Sequence, residues 1–533
     1  MNTVFDTHSM IAGQWFEGSG DSFESWDPSL NKAIANIKSC TLLDVNAALS
    51  AAVEAKTLLD TKTSAEIAEF LNVLADEIEA LKGAFIPVAM AETGLPEARL
   101  QGETGRTCGQ IRAFAALVAE GSWRQASIDT ADPNRQPVPK PDVRAMNISL
   151  GPIAVFGASN FPFAFGTLGG DSAAALAAGN PIIVKGHPSH PLTSRYFAQA
   201  IANALQKADF PMGTFSLLQG CGTELGSELV KHPEIKAVGF TGSLGGGRAL
   251  MDIAAKRAEP IPVYAEMGSI NPVFIMPEAL DSRSDAIAQG LAGSIAMGCG
   301  QFCTSPGLIV CLNSELPKLL AHYLSEQTPG VMLNPGIADA MQSALASRQN
   351  NSRVEFLTGG LSDTPLTPKA SLMQINAADF LASGQSIAEY SEEIFGPASL
   401  VVNCESTEQM LAVAKSLSGN LTATIHADDY QSQSLSALLS LLKPRTGRIL
   451  FNGFPTGVEV CQSMQHGGPY PASSFAHATS VGTAAISRFV SRNAYQNWPD
   501  ELLPVELQND NPMGILRMID NHYSRTAIAI EKA

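Results

Sequence analysis

The sequence predicts an α/β fold built from two parallel-sheet units, and three observations predict it. Short apolar runs alternate with helical patterns between residues 153 and 240, as right-handed βαβ crossovers do. The same alternation resumes near Asn271 and continues to Phe451. A chain of 533 residues that is 45% hydrophobic can also bury more than one core, so two or more domains are expected.

Residues 9–37 read as short strands and turns. From Leu43 the period becomes helical, with Asp44 the expected N-cap of a helix to about Leu59 and Val45, Ala48, Leu49 and Val53 on one face. Further helices are predicted over 64–81, 83–93 and from Pro96 to about Glu120. On the last, Arg99, Glu103, Arg106 and Gln110 step by four, three and four and share a face. For Arg99 and Glu103 we read a solvated stripe with an i,i+4 ion pair; for Arg106 the sharper alternative is a carboxylate anchor. Residues 124–143 are polar and Pro-rich, an extended connector or arm, and 143–150 alternates as a strand. Strands at 153–156, 182–184, 214–218 and 237–240 are then separated by helices at about 166–178, 191–207 and 222–230. Ligands of such sheets bind at the carboxyl ends of the strands. In the second unit, strands are expected at 272–275, 308–311, 399–402, 421–426 and 448–451, with helices over 286–297, 315–327, 405–418 and 430–443. The stretch up to about 390 is polar and weakly periodic, and the tail beyond 500 is polar, then weakly helical.

A formal charge of −17 argues against nucleic acid and anionic membrane surfaces as partners, while leaving room for a local basic pocket that takes a phosphate. The eight cysteines (40, 108, 221, 299, 303, 311, 404, 461) have no framework spacing and no CxxC, which reads as reduced thiols in a cytoplasmic protein. No basic segment followed by an apolar one opens the chain, and no apolar run is long enough to cross a bilayer.

The chemistry concentrates in six segments. Gly298-Cys299-Gly300-Gln301-Phe302-Cys303-Thr304-Ser305-Pro306-Gly307 places a thiol in a loop after a helix, where a nucleophile would be accessible. Phe156-Gly157-Ala158-Ser159-Asn160-Phe161-Pro162 carries an amide in a strand-to-helix turn, and Val184-Lys185-Gly186-His187-Pro188 a cation at a strand end. Thr241-Gly242-Ser243-Leu244-Gly245 puts a glycine turn before a helix, which suits a phosphate. Glu266-Met267-Gly268 and Glu392-Glu393-Ile394-Phe395-Gly396-Pro397 each bring a carboxylate. Bland alternatives exist for each: a turn cap for Asn160, surface carboxylates for the glutamates, and a packed thiol for Cys299, which we favour. The histidines 187, 190 and 466 lack metal-ligand spacing and read as structural, with no metal expected.

In this order and spacing the segments resemble the NAD(P)-dependent aldehyde dehydrogenase superfamily over about residues 10–490. With Phe451-Asn452-Gly453-Phe454-Pro455 and His466-Gly467-Gly468-Pro469-Tyr470, they resemble the branch of 2,5-dioxovalerate (α-ketoglutarate semialdehyde) dehydrogenases and an NADP-dependent fatty-aldehyde enzyme. The resemblance implies a Rossmann-like cofactor domain (1–129 and 151–270), an α/β catalytic domain (271–470) and a β-arm for oligomerisation (130–150 and 471–500), leaving 501–533 without a role. It implies a homodimer or homotetramer, an aldehyde as the small-molecule partner, and attack by the Cys303 thiolate. Asn160 and the Cys303 N–H would then hold the oxyanion, and Glu266 would activate the water that hydrolyses the thioester. Cofactor contacts would come from Lys185 and His187 at the adenosine ribose, Gly242 and Ser243 at the pyrophosphate, and Glu393 and Phe395 at the nicotinamide ribose.

The usual Lys-Pro-Ser-Glu of the family is Lys185-Gly186-His187-Pro188 in this chain. Losing that glutamate removes repulsion against a 2′-phosphate, and Lys185 with His187 would add attraction, so NADP is expected to be preferred over NAD. The preferred substrate is α-ketoglutarate semialdehyde, with Arg106 or Arg257 as the cation for its carboxylate. The rival is a long-chain aldehyde in a tunnel of Phe161, Phe163, Phe165 and Phe454, with His466 at the mouth. A CoA-acylating enzyme is disfavoured because Glu266 supplies a base for water. A non-catalytic binding protein is the remaining reading.

Overall fold

The strands Ile153–Phe156, Ile182–Lys185 and Phe215–Leu218 are buried at every position, which is why they read as unbroken apolar runs. In the computed structural model, which describes residues 5–312, 315–382 and 390–528, they form the centre of a seven-stranded sheet. Val263–Glu266 and Ala237–Thr241 extend it in parallel on one side, and Ser9–Ile11 and Gln14–Phe16 close it antiparallel on the other. Phe156 pairs with Lys185 and Phe240, and Thr241 with Glu266, so the Asn160 turn, Lys185, Ser243 and Glu266 all leave one carboxyl edge.

The second sheet runs Glu355–Thr358, Ser371–Asn376, Ala398–Cys404, Leu308–Leu312, Val273–Ile275, Asn420–His426, Thr446–Phe451, parallel except for the first pair. Cys303 and Glu393 lie in the loops that enter Leu308–Leu312 and Ala398–Cys404. This sheet therefore presents its amino edge to the carboxyl edge of the first. Each sheet is covered on both faces by an apolar cluster, so the site between them rests on two independently packed units.

A third sheet joins Val490–Gln496, Val143–Ser149, Ser127–Asp129, Arg517–Ile519 and His522–Ser524. The last two strands correct the weakly helical tail. Asp520 and Asn521 both have positive φ, the backbone of a tight hairpin that local helical pattern cannot foretell. The Asp520 carboxylate accepts from the Thr130 N–H (3.0 Å) and from Lys140 (2.9 Å), tying the tail to the Pro-rich segment. Residues 529–533 of that tail lie outside the described residues.

Several helix expectations are also corrected. Thr41, not Asp44, caps Leu42–Leu59; the Asp44 carboxylate reaches back to the Thr41 N–H (2.7 Å), and Ala52 rather than the 38% exposed Val53 faces the core. Ser64–Thr93 is one helix through Gly83 and Pro87, because Phe85, Ile86, Val88 and Ala89 carry its buried stripe on without a break. The weakly periodic stretch holds the helix Pro335–Gln349, whose buried face is only Ala338, Met341, Leu345 and Arg348.

Glu92, fully buried near the end of Ser64–Thr93, joins three elements. It accepts from Ser25 Oγ (2.7 Å), the N–H groups of Leu192 (2.9 Å) and Thr193 (2.8 Å), and Thr193 Oγ1 (2.7 Å), at the amino end of Pro191–Lys207. Burial raises its carboxyl to about 7 against the pull of those donors. Glu92→Ala leaves four donors unpaired and is expected to cost on the order of 3 kcal/mol at pH 5, read from denaturant midpoints. Because the folded carboxyl titrates above its unfolded value, its contribution falls as pH rises from about 4.5 to about 7. The gap between wild type and variant should narrow over that window.

Candidate active site

Between the two sheet edges lies a cavity of about 450 Å³, within the usual size of small-molecule and cofactor sites. Asn160, His187, Gly242, Ser243, Glu266, Cys303, Glu393 and Phe395 all line it, so residues from six separate segments converge. Lys185 is buried at its strand end, and burial brings its ammonium down to about 8. Ser243 Oγ caps Leu244–Ala255 by accepting the Gly246 N–H, which turns a helix amino end toward the cavity. Burial, then the neighbouring His190 and Lys185, hold the His187 ring neutral. It offers hydrogen bonding there but not the positive charge expected of it.

The thiol loop is shaped by backbone that few residues tolerate. Gly298, Cys299 and Gly300 are all left-handed, and a Cβ on Gly300 would come within 2.2 Å of the Gly396 carbonyl. That contact brings the Glu393–Pro397 loop against the thiol loop. Asn271 Nδ2 donates to the carbonyls of Cys303 (2.8 Å) and Ser305 (3.0 Å), a support that sequence reasoning misses. Its position after Met-Gly-Ser-Ile is the only available signal. Cys299 is a packed thiol, 3.4 Å from the Met332 sulfur.

Cys303 Sγ lies 3.3 Å from His466 Nε2, which is 2.9 Å from Glu266 Oε1; Ser480 Oγ donates to the other oxygen of Glu266. The sequence expectation for His466, structural or at the edge of the mouth, is corrected here: it is buried between the thiol and the carboxylate. One ligand atom from each of these three residues falls within 4.8 Å of the others, a donor set a thiophilic cation could use and one that their spacing along the chain conceals. Burial pushes the Cys303 thiol far up, the Glu266 and Glu393 carboxylates add to this, and Arg106 opposes it. For Glu266 burial also pushes upward, but His466, Ser480 and Arg488 outweigh it and hold the carboxyl below its usual value. Glu393 is raised to about 8 by burial, with the Ser269 N–H opposing and the Glu266 charge adding.

The stripe on Glu97–Glu120 faces inward, which corrects the solvated reading. Glu103 is 5% exposed and accepts from the N–H groups of Phe163 (2.8 Å) and Ala164 (3.0 Å). Arg106 lies over Phe161 and Phe165 (5.9 and 5.5 Å to the ring centres), and its buried Nε has no hydrogen-bond partner. Phe165 packs with Val481, Val458, Val460 and Met464 into an apolar wall beside the His466 ring. Phe163 belongs to the first core, wedged between Phe85 and Phe197, and Phe454 packs against Gly290 and His426. Neither lines the cavity, and Lys185, Arg106, Phe161, Phe165 and His466 also stand outside its lining. Arg257 donates to the carbonyls of Val230, Pro233 and Ile235 and serves a loop elsewhere. Asn160 Nδ2 donates to the Gln301 carbonyl (2.8 Å), so its amide is oriented by the thiol loop itself.

This arrangement belongs to the aldehyde dehydrogenase family, whose model matches residues 15–492. The chain is therefore an NAD(P)-dependent, aldehyde-oxidising oxidoreductase. It is 45% identical over 518 residues to alpha-ketoglutaric semialdehyde dehydrogenase 2 of Azospirillum brasilense, covering 96% of this chain and 98% of that one. It is 44% identical over 485 residues to alpha-ketoglutaric semialdehyde dehydrogenase of Acinetobacter baylyi, covering 90% and 91%. The aldehyde dehydrogenase KauB of Pseudomonas aeruginosa shares the fold at TM-score 0.78 and 20% identity, over 93% of this chain and 97% of that one. Neighbours at the same TM-score include complexes with NAD+ and with NADP. Among the described residues, no helix is long and apolar enough to cross a membrane.

The electrostatics around the thiol yield a direct test. Removing the Glu266 charge should lower the Cys303 pKa and enlarge its thiolate fraction. Glu266→Gln is therefore expected to raise the iodoacetamide alkylation rate of Cys303 at pH 8 by roughly threefold to tenfold. Mass spectrometry of the alkylated peptide reads this rate without cofactor or substrate.

Proposed function

We propose that this chain oxidises α-ketoglutarate semialdehyde to 2-oxoglutarate. The observation that carries the reading is Arg106, a cation without a hydrogen-bonded partner at its buried Nε, set among Phe161 and Phe165. The names of the two relatives support the same substrate. A carboxylate held by Arg106 would place the far aldehyde of a five-carbon chain toward Cys303. A second reading, a long-chain aldehyde, is favoured by the apolar wall around Phe165 and Met464.

In the proposed mechanism the Cys303 thiolate adds to the aldehyde carbon, and the thiol proton passes to His466 or Glu266, the two groups in contact around Sγ. The Asn160 amide and the Cys303 N–H hold the oxyanion of the thiohemiacetal. Bound NAD(P) supplies the hydride acceptor at its nicotinamide. Glu266 then takes a proton from the water that attacks the thioester, and the thiolate leaves. The residues fit the cofactor: a capped helix amino end with Gly242 and Ser243 for the pyrophosphate, His187 in the lining with Lys185 at the strand end two residues before it for the adenosine ribose, and Glu393 with Phe395 for the nicotinamide ribose. We propose NADP as the preferred form, on the Lys185 cation and on Pro188 standing where the family glutamate would repel a 2′-phosphate. We further propose a cytoplasmic homodimer or homotetramer, with residues 1–129 and 151–270 as cofactor domain, 271–470 as catalytic domain, and 130–150 and 471–500 as the assembly arm. The strand Val490–Gln496 supports this last point, since it is an exposed sheet edge.

Arg106→Met is expected to raise KM for the semialdehyde by about tenfold to a hundredfold, the worth of a charge-assisted hydrogen bond, and to leave kcat/KM for propanal within about threefold. Equal losses on both aldehydes, or a preference for decanal over the semialdehyde, would remove the anionic substrate; full turnover in Cys303→Ala would remove the mechanism. A second expectation follows from Glu393. Its carboxyl is raised to about 8, so at pH 7 the free enzyme holds it protonated, and accepting ribose hydroxyls favours the ionised form. Cofactor affinity should rise with pH toward about 8 and then level, by up to about tenfold per pH unit. Calorimetry in two buffers should show proton release at pH 7 that vanishes in Glu393→Gln.

A further inference from the structure

Arg99, the third residue of Glu97–Glu120, lies outside the cavity lining yet grips two of the loops that form it. Its guanidinium sits over the ring of Phe161 at 4.9 Å and over that of Phe302 at 4.8 Å, and the two rings meet edge to face at 5.1 Å. Its Nη2 donates to the Asn160 carbonyl at 2.7 Å. Phe161 directly follows Asn160 and Phe302 directly precedes Cys303. One side chain therefore touches the immediate neighbours of both proposed oxyanion donors.

Two further contacts tighten this arrangement. A Cβ on Gly298 would lie 2.4 Å from Phe302 Cε2 and 2.7 Å from Arg99 Nη1, so glycine makes room for the wedge. One turn along the same helix, Glu103 holds the N–H groups of Phe163 and Ala164, gripping the Asn160 loop at a second point. Burial weakens the Arg99 cation and the Glu103 carboxylate restores part of it, so the pair is mutually supported.

We infer that Arg99 is a positioning residue for the oxyanion hole, fixing the separation between the Asn160 side-chain amide and the Cys303 N–H by clamping Phe161 against Phe302. The inference rests on the oxyanion role proposed for those two donors. An oxyanion donor acts only within about 2.7–3.1 Å of the developing charge, and losing one costs about a hundredfold to a thousandfold in kcat. A guanidinium is needed because it stacks on two rings while donating in plane, which an ammonium cannot do.

The test compares Arg99→Met and Arg99→Lys in the full-length enzyme by three assays. The first is steady-state oxidation of the semialdehyde; the second is cofactor-free cleavage of p-nitrophenyl acetate, which also passes through an oxyanion on Cys303; the third is alkylation of Cys303 by iodoacetamide, which forms no oxyanion. Arg99→Met is expected to lower kcat and ester cleavage together by about thirtyfold to a hundredfold, with both KM values and the alkylation rate within about threefold of wild type. Arg99→Lys, which keeps the cation between the rings, should recover part of both losses. A KM rise confined to the anionic aldehyde would overturn the proposal in favour of a substrate contact. Parallel loss of alkylation would overturn it in favour of general collapse of the loop. Asn160→Ala separates the layers: normal kcat there removes the oxyanion reading and this inference with it, whereas an impaired Asn160→Ala beside a normal Arg99→Met removes the clamp alone.

Discussion

The half-buried Cys303 thiol, set beside two carboxylates, is the constraint on which the rest of the site depends. Left to desolvation and the charges of Glu266 and Glu393, the sulfur stays protonated and inert, since a nucleophile needs the thiolate. His466 stands between the two partners, one nitrogen meeting both the sulfur and the carboxylate. Ser480 and Arg488, the latter paired with Asp171 at 2.7 Å, keep Glu266 ionised in a place where burial alone would neutralise it. The support reaches two layers out from the sulfur, and every member is nearly or fully withdrawn from water.

That depth of burial is available because two sheets of opposite polarity meet. The first sheet ends its strands at the cavity and the second begins its strands there. Loops that leave one and loops that enter the other interlock, as Asn160 against Gln301 and Gly268 against Glu393 show. Neither sheet alone could close the pocket. The left-handed turn at Gly298–Gly300 and the close approach at Gly396 are local costs that the two separate cores can hold.

How much of this is legible in the sequence follows the range of each interaction. The central strands of both sheets, such as Ile153–Phe156, Ile182–Lys185 and Val273–Ile275, are legible because burial on two faces leaves an apolar run, whereas the edge pair Glu355–Thr358 and Ser371–Asn376 stays hidden in the weakly periodic stretch. Cys303, Glu266, Asn160 and Glu393 are legible as residue types beside glycine turns at strand ends, and all four line the cavity. What stays hidden depends on contacts across hundreds of residues. His466 meets a thiol 163 positions away, Asn271 holds a loop 32 positions on, and the tail hairpin is fixed by Asp520 reaching Thr130, 390 positions back. Phe163 and Phe165 are two residues apart and of one type, yet one belongs to the first core and the other packs beside His466 in a separate small cluster.

The stripe of Arg99, Glu103 and Arg106 carries the most instructive reversal. Charge at helical spacing ordinarily marks a wet face, because exposed ion pairs cost little and stabilise little. The same spacing inside a protein requires partners for every charge, and the chain supplies them from the Asn160 loop and the thiol loop: backbone N–H groups for Glu103, rings and a carbonyl for Arg99, rings alone for Arg106. Arg106 is thus the least satisfied of the three. Its Nε remains unpaired where an isolated buried donor is costly, and aromatic faces return only part of the lost hydration, about 2 kcal/mol when desolvated. An anionic ligand would complete it. The surrounding Phe165, Val481 and Met464 then take on a second meaning, since an apolar wall around one cation strengthens its grip on a carboxylate while offering nothing to other polar groups. The wall that favours a long aliphatic aldehyde and the cation that favours a short anionic one are, on this argument, parts of one selective device.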